Sequence, residues 1–226
     1  MHTDRTPFVR ALARCLLVMG ALLAGCETAP PAAPVAPQIL GRLQPAPRIT
    51  VEVDIRPHTQ WTPARIEKAR AAARLLESVI NSDAFARALT SRTGLQRSEG
   101  MSGADILRVL RSGVTLAALR RGESVSAPRI TLALAISPAS GEFSYSDGFT
   151  DLGTGIIYAQ REWMDRENVC RLAGLYAHEY MHVTGFTHTD YPHPLRGRTV
   201  PYAIGYMVTE LAAAEAGAQC KRAWSW

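Results

Sequence analysis

His178-Glu179-Tyr180-Met181-His182-Val183-Thr184-Gly185-Phe186-Thr187-His188 follows the pattern H-E-x-x-H-x-x-G-x-x-H. The spacing has a physical reading. His178 and His182 are one helical turn apart, so a helix presents both imidazoles on one face. Both can then reach a single Zn²⁺ at about 2.0–2.1 Å. Glu179 follows the first ligand and can accept a proton from metal-bound water without occupying the metal. A helix continuing beyond His182 would carry His188 away. Gly185 tolerates the left-handed conformation that ends a helix, so the chain can turn back and deliver His188 as a third ligand. Three protein ligands leave the fourth tetrahedral position open, as a catalytic zinc requires. With six His in 226 residues, three at fixed offsets from a Glu and a Gly are far from a chance pattern.

These residues resemble the zinc signature of the metzincin metalloproteases. The likeness is specific over this window and looser from about Gly141 to Trp226. It implies a zinc metalloendopeptidase with ligands His178, His182 and His188 and with Glu179 as general base. It also implies a methionine-containing turn beneath the metal. Val200-Pro201-Tyr202-Ala203-Ile204-Gly205-Tyr206-Met207 can supply one through Met207, or Met207 can belong to the first turn of a last helix. In that family an edge strand before the metal helix pairs with extended substrate. By analogy residues 143–158 would line the cleft. Rivals to His188 remain open: Asp190, His193, and Glu210 on a downstream helix. Tyr191, Tyr202 and Tyr206 follow the motif and read as rim tyrosines. A phenol near the metal can also stabilise an oxyanion.

Upstream, alternation in Arg48–Ile55 reads as a first strand. Thr62-Pro63 starts a helix over Ala64–Ile80, with Thr as cap and Pro in the first turn. A shorter helix follows over Ser82–Ala88, then a loop over Ser91–Gly103. Ser102 caps a helix over Ala104–Arg111, and Val114–Arg121 is helix or turn. Arg129–Ile136 is apolar enough to be a central strand. Gly141–Gly155 reads as a hairpin or irregular strand, and Ile156–Glu162 as a third strand. Asp165 is expected to cap the metal helix, running from about Arg166 to Thr184. The last helix covers about Tyr206–Arg222. The order predicts an α+β fold: a small mixed sheet packed on helices, then the metal helix, a loop and a C-terminal helix.

The chain starts with Arg5, Arg10 and Arg14 before the apolar run Cys15–Ala24, which is too short for a permanent span. Leu23-Ala24-Gly25-Cys26 resembles a bacterial lipobox. Residues 1–25 then form a lipoprotein signal peptide, with Cys26 lipidated. Pro30, Pro31, Pro34, Pro37, Pro45 and Pro47 make residues 26–47 an extended tether that cannot build a core. Residues 48–226 suffice for one domain. Glu27 after Cys26 points to the outer membrane by resemblance to enterobacterial sorting. The site is thus expected in a bacterial envelope, lipid-anchored on the periplasmic side or extracellular.

The formal charge is +5. Loss of residues 1–25, with three Arg and one Asp, leaves +3. Without a basic block interleaved with aromatics, nucleic acid is not an expected partner. Of four cysteines, Cys170 and Cys220 remain once Cys15 is removed and Cys26 is lipidated. In an oxidising compartment they form a disulfide or stay as buried thiols. The expected activity is zinc-dependent hydrolysis of peptide bonds in a peptide, protein or cell-wall peptide. The alternative is an envelope lipoprotein that holds zinc and binds a partner without cleaving it.

Overall fold

Val51, Val53 and Ile55 alternate with exposed Thr50, Glu52 and Asp54, and this alternation makes β1 (Thr50–Ile55) a strand with one face on the core. In β2 (Arg129–Ser137) the run from Leu132 to Ile136 is buried throughout, the mark of a central strand covered on both faces. The computed structural model describes residues 40, 43, 48–57, 60–123, 129–137, 147–188 and 195–220. Two further strands, β3 (Gly148–Asp151) and β4 (Ile156–Gln160), complete a four-stranded sheet of order β1-β2-β4-β3. β1, β2 and β4 run parallel, and β3 pairs antiparallel with β4 at one edge.

Between β1 and β2 lie α1 (Pro63–Asn81), α2 (Asp83–Thr90), α3 (Gly103–Ser112) and α4 (Leu116–Arg120). Each begins where a hydroxyl side chain accepts a backbone N–H: Thr62, Ser82, Ser102 and Thr115 in turn. Ser102 and Asp105 form a reciprocal capping box. Asn81, at the end of α1, exchanges two 2.8 Å hydrogen bonds with the backbone of Ile49, and Val51 N donates to Glu77 Oε2 at 2.7 Å. These side chains supply hydrogen bonds that an edge strand lacks on its open side.

After β4 come α5 (Arg161–Arg166), α6 (Val169–Thr184) and α7 (Val200–Ala216), with short 3₁₀ turns at Arg196–Arg198 and Gly217–Cys220. α6 packs against α7 and α1. The α+β class and the small mixed sheet expected from the sequence are present. Cys170 at the start of α6 and Cys220 after α7 form a disulfide, Cα atoms 5.9 Å apart.

Three expectations need correction. Asp165 does not cap the metal helix. It lies in α5, held by Arg65 Nε and Nη2 at 2.8 and 2.6 Å. The chain breaks at Glu167, and Asn168 Oδ1 accepts from Cys170 N and Arg171 N, each at 3.0 Å. Glu162 belongs to α5 rather than to the strand. The last helix starts at Val200, not near Tyr206, because Pro201 suits a first helical turn. Met207 therefore sits buried inside α7 and not in a turn.

The expected signal segment, Cys26 and nearly all of the expected tether lie outside the described residues, as do residues 138–146 and 221–226. No described helix is long and apolar enough to cross a membrane.

Candidate metal centre

The end of α6 builds the site. Gly185 adopts φ +105°, its N–H donates to His182 O at 2.9 Å, and Phe186 N–H donates to Met181 O at 2.9 Å. This paired closure is a Schellman motif and needs a residue that accepts a left-handed conformation. It turns the chain so that buried Phe186 enters the core and His188 faces back toward the helix.

His178, His182 and His188 converge, their ligating atoms all within 4.8 Å of one another. His178 Nε2 lies 3.2 Å from His188 Nε2. Two nitrogens bound to one tetrahedral ion at about 2.0–2.1 Å would be about 3.3 Å apart. The rings meet edge-on or tilted, with centroids 4.7–5.1 Å apart. Backbone carbonyls orient the two helical histidines. His182 Nδ1 lies 2.9 Å from Phe186 O, which fixes that nitrogen as the donor and leaves Nε2 for a metal. His178 hydrogen-bonds to the Pro201 backbone, which has only a carbonyl to offer. Burial, then the neighbouring His182 and His188, hold the His178 pKa well below its ordinary value, so it is neutral and able to ligate. The three residues fit a metal ion.

Glu179 is buried beside the cluster, Oε1 4.0 Å from His178 Nε2. The Thr150 hydroxyl, from edge strand β3, lies 2.8 Å from Glu179 Oε2 and 3.0 Å from the Glu179 backbone carbonyl. Desolvation pushes the Glu179 pKa up to about 7, partly offset by Thr150.

The second wall comes from α7. A Cβ on Gly174 would lie 1.9 Å from Thr209 Oγ1, and one on Gly205 would lie 3.1 Å from His178 Cβ. Glycine at both positions lets α6 and α7 cross closely. Tyr202, on the first turns of α7, then sets its ring 4.4 Å from the His178 ring and 4.8 Å from the His188 ring. The Arg196 guanidinium stacks on the Tyr202 ring at 4.2 Å. A cleft of about 870 Å³ runs along this surface, lined by β3, the three histidines, Glu179, Arg196, Tyr202 and Tyr206.

Of the rival ligands, Glu210 is exposed on α7 and outside the cluster. Its position on the helix turns it away. Asp190, Tyr191 and His193 lie outside the described residues, and so do residues 143–146 of the expected cleft wall. Residues 148–150 and 152 do line the cleft. Tyr202 is a wall of the cluster rather than a rim residue. Sequence reasoning missed Thr150, Arg196, Asn168 and the Phe186 carbonyl, since each acts through a partner distant in sequence or through backbone. No family model, curated protein or solved structure matches this chain.

Proposed function

We propose that this chain is a zinc-dependent metallopeptidase that works outside the cytoplasm, tethered through a lipid on Cys26. The carrying observation is the convergence of three imidazoles next to a buried carboxylate that is not itself a ligand. A zinc ion held by His178, His182 and His188 would supply Lewis acidity, polarising a carbonyl and acidifying water. Glu179 takes a proton from the attacking water at its carboxylate and passes it to the leaving amine. A nearby cation favours the ionised carboxylate and so opposes the upward push of burial. Thr150 holds Glu179 from the cleft side. Antiparallel edge strand β3 beside the cleft suits backbone pairing with an extended peptide. The resemblance to metzincins supports the same reading at His178, Glu179, His182, Gly185 and His188, while Met207 departs from it.

Elemental analysis and cleavage profiling on peptide libraries and isolated cell wall test the proposal. One zinc per chain is expected, lost in His182→Ala and in His188→Ala. Glu179→Gln should keep the metal and lose about 10²–10⁴-fold in turnover. Normal turnover by Glu179→Gln would sink the mechanism. Zinc binding by a wild-type chain that cleaves nothing would favour the non-catalytic binding module instead.

A further inference from the structure

We propose that Arg196 is a carboxylate-binding subsite of the cleft, so that the preferred substrate carries a carboxylate within three residues of the bond that is cut. This rests on the peptidase reading for its substrate class, but not for its binding test.

Arg196 is a cation held in the cleft wall without an anion among the described residues. Its guanidinium face lies on Tyr202, 4.2 Å from the ring centroid. Stacking of this kind fixes the plane of the fork and leaves its in-plane N–H donors unused by the ring. Arg196 Nε is buried with no hydrogen-bond partner among the described residues. Arg171, the other arginine of the cleft, has a counter-ion, Nη1 lying 2.9 Å from Glu167 Oε2. No described carboxylate pairs with Arg196 in this way. Its backbone is fixed, because Arg196 O accepts from Thr199 N at 3.0 Å and from Thr199 Oγ1 at 2.8 Å. Gln96 N also donates to Arg198 O at 2.9 Å in the same turn.

Position sets the substrate requirement. Arg196 touches Tyr202, and Tyr202 touches the His178 ring at 4.4 Å. The guanidinium is therefore no farther from the metal cluster than those two short separations laid end to end. An extended peptide advances about 3.3 Å per residue. Two to three residues cover that reach, so a carboxylate that near the scissile bond meets a preformed fork. Two sources offer this chemistry: the free α-carboxylate of a chain end, or the side chain of Asp or Glu.

The test uses Glu179→Gln protein loaded with zinc, so that binding is read without turnover. Matched fluorescent peptides differ in one group: free against amidated C-terminus, or Asp and Glu against Asn and Gln at each position. A charge-assisted pair predicts about 10–100-fold tighter binding of the carboxylate member. Added Arg196→Gln should abolish that preference and leave the neutral member within about twofold, whereas Arg196→Lys should keep part of it. Preference for the free terminus marks the α-carboxylate, and preference for Asp or Glu marks the side chain. Equal binding of matched pairs, or equal weakening of both by Arg196→Gln, overturns the subsite. If zinc-loaded wild type cleaves none of the peptides while the Arg196-dependent preference persists, the subsite stands and the peptidase reading falls.

Discussion

Glu179 and Thr150 show how one hydrogen bond across 29 positions in sequence completes a site. Thr150→Val keeps the side-chain volume and removes the donor. It should leave zinc content intact and lower kcat by roughly tenfold or more with KM little changed. Unchanged kcat would show that burial alone positions Glu179. Gly185 offers a second test at this scale. Its φ is +105°, and a Cβ there would lie 3.3 Å from Leu116 Cβ, so alanine is strained at this position. Gly185→Ala should cost about 1–2 kcal/mol in denaturant unfolding and weaken zinc binding, since His188 depends on the turn. The three histidines and Glu179 were legible in the sequence because local spacing dictates their geometry. The Thr150 bond to Glu179 and the place of Arg196 were not, although Thr150 falls within the expected cleft wall, since each depends on a partner outside its own segment.

At the level of elements, the crossing of α6 and α7 decides where the wall of the site stands. Gly174→Ala would drive a methyl into Thr209 Oγ1, 1.9 Å from the ideal Cβ position. An overpacking cost of about 1–3 kcal/mol is expected, with weaker zinc binding as Tyr202 shifts. Unchanged unfolding and metal affinity would contradict the close crossing. The Arg65–Asp165 pair ties α1 to α5, and the hydrogen bond from Arg65 holds the Asp165 pKa below its ordinary value. A depressed carboxylate pKa stabilises the fold above the unfolded pKa, about 3.9, and the gain is lost as pH falls through the lower folded value. The pair is half-exposed, so Asp165→Asn should cost under about 1 kcal/mol at neutral pH. The difference from wild type should vanish in strong acid when unfolding is followed against pH. Helix starts at Thr62, Ser82 and Ser102 were readable from local capping chemistry. The start of α6 was not: Asp165 and Asn168 are both good caps, and Arg65, distant in sequence, claims the first.

For the whole molecule, the Cys170–Cys220 disulfide closes a separation of 50 residues and joins the start of α6 to the end of the described chain. The loop-entropy estimate is about 4 kcal/mol, an upper figure for its stabilisation. Cys170→Ser with Cys220→Ser should lower the unfolding midpoint accordingly, and wild type in reductant should match it. The proposed lipid anchor makes a separate prediction: Cys26→Ala should abolish labelling by a palmitate analogue and release the protein from membranes. The sequence by itself determined the helix that carries His178, Glu179 and His182, its terminating glycine and the α+β class, because helical periodicity, capping and strand alternation act over a few residues. Only the tertiary structure decided that His188 and not Glu210 joins the cluster, that Met207 lies within a helix, and that Thr150, Tyr202 and Arg196 surround the site. Those outcomes depend on how close two helices and one edge strand can approach, and packing between distant segments sets that distance.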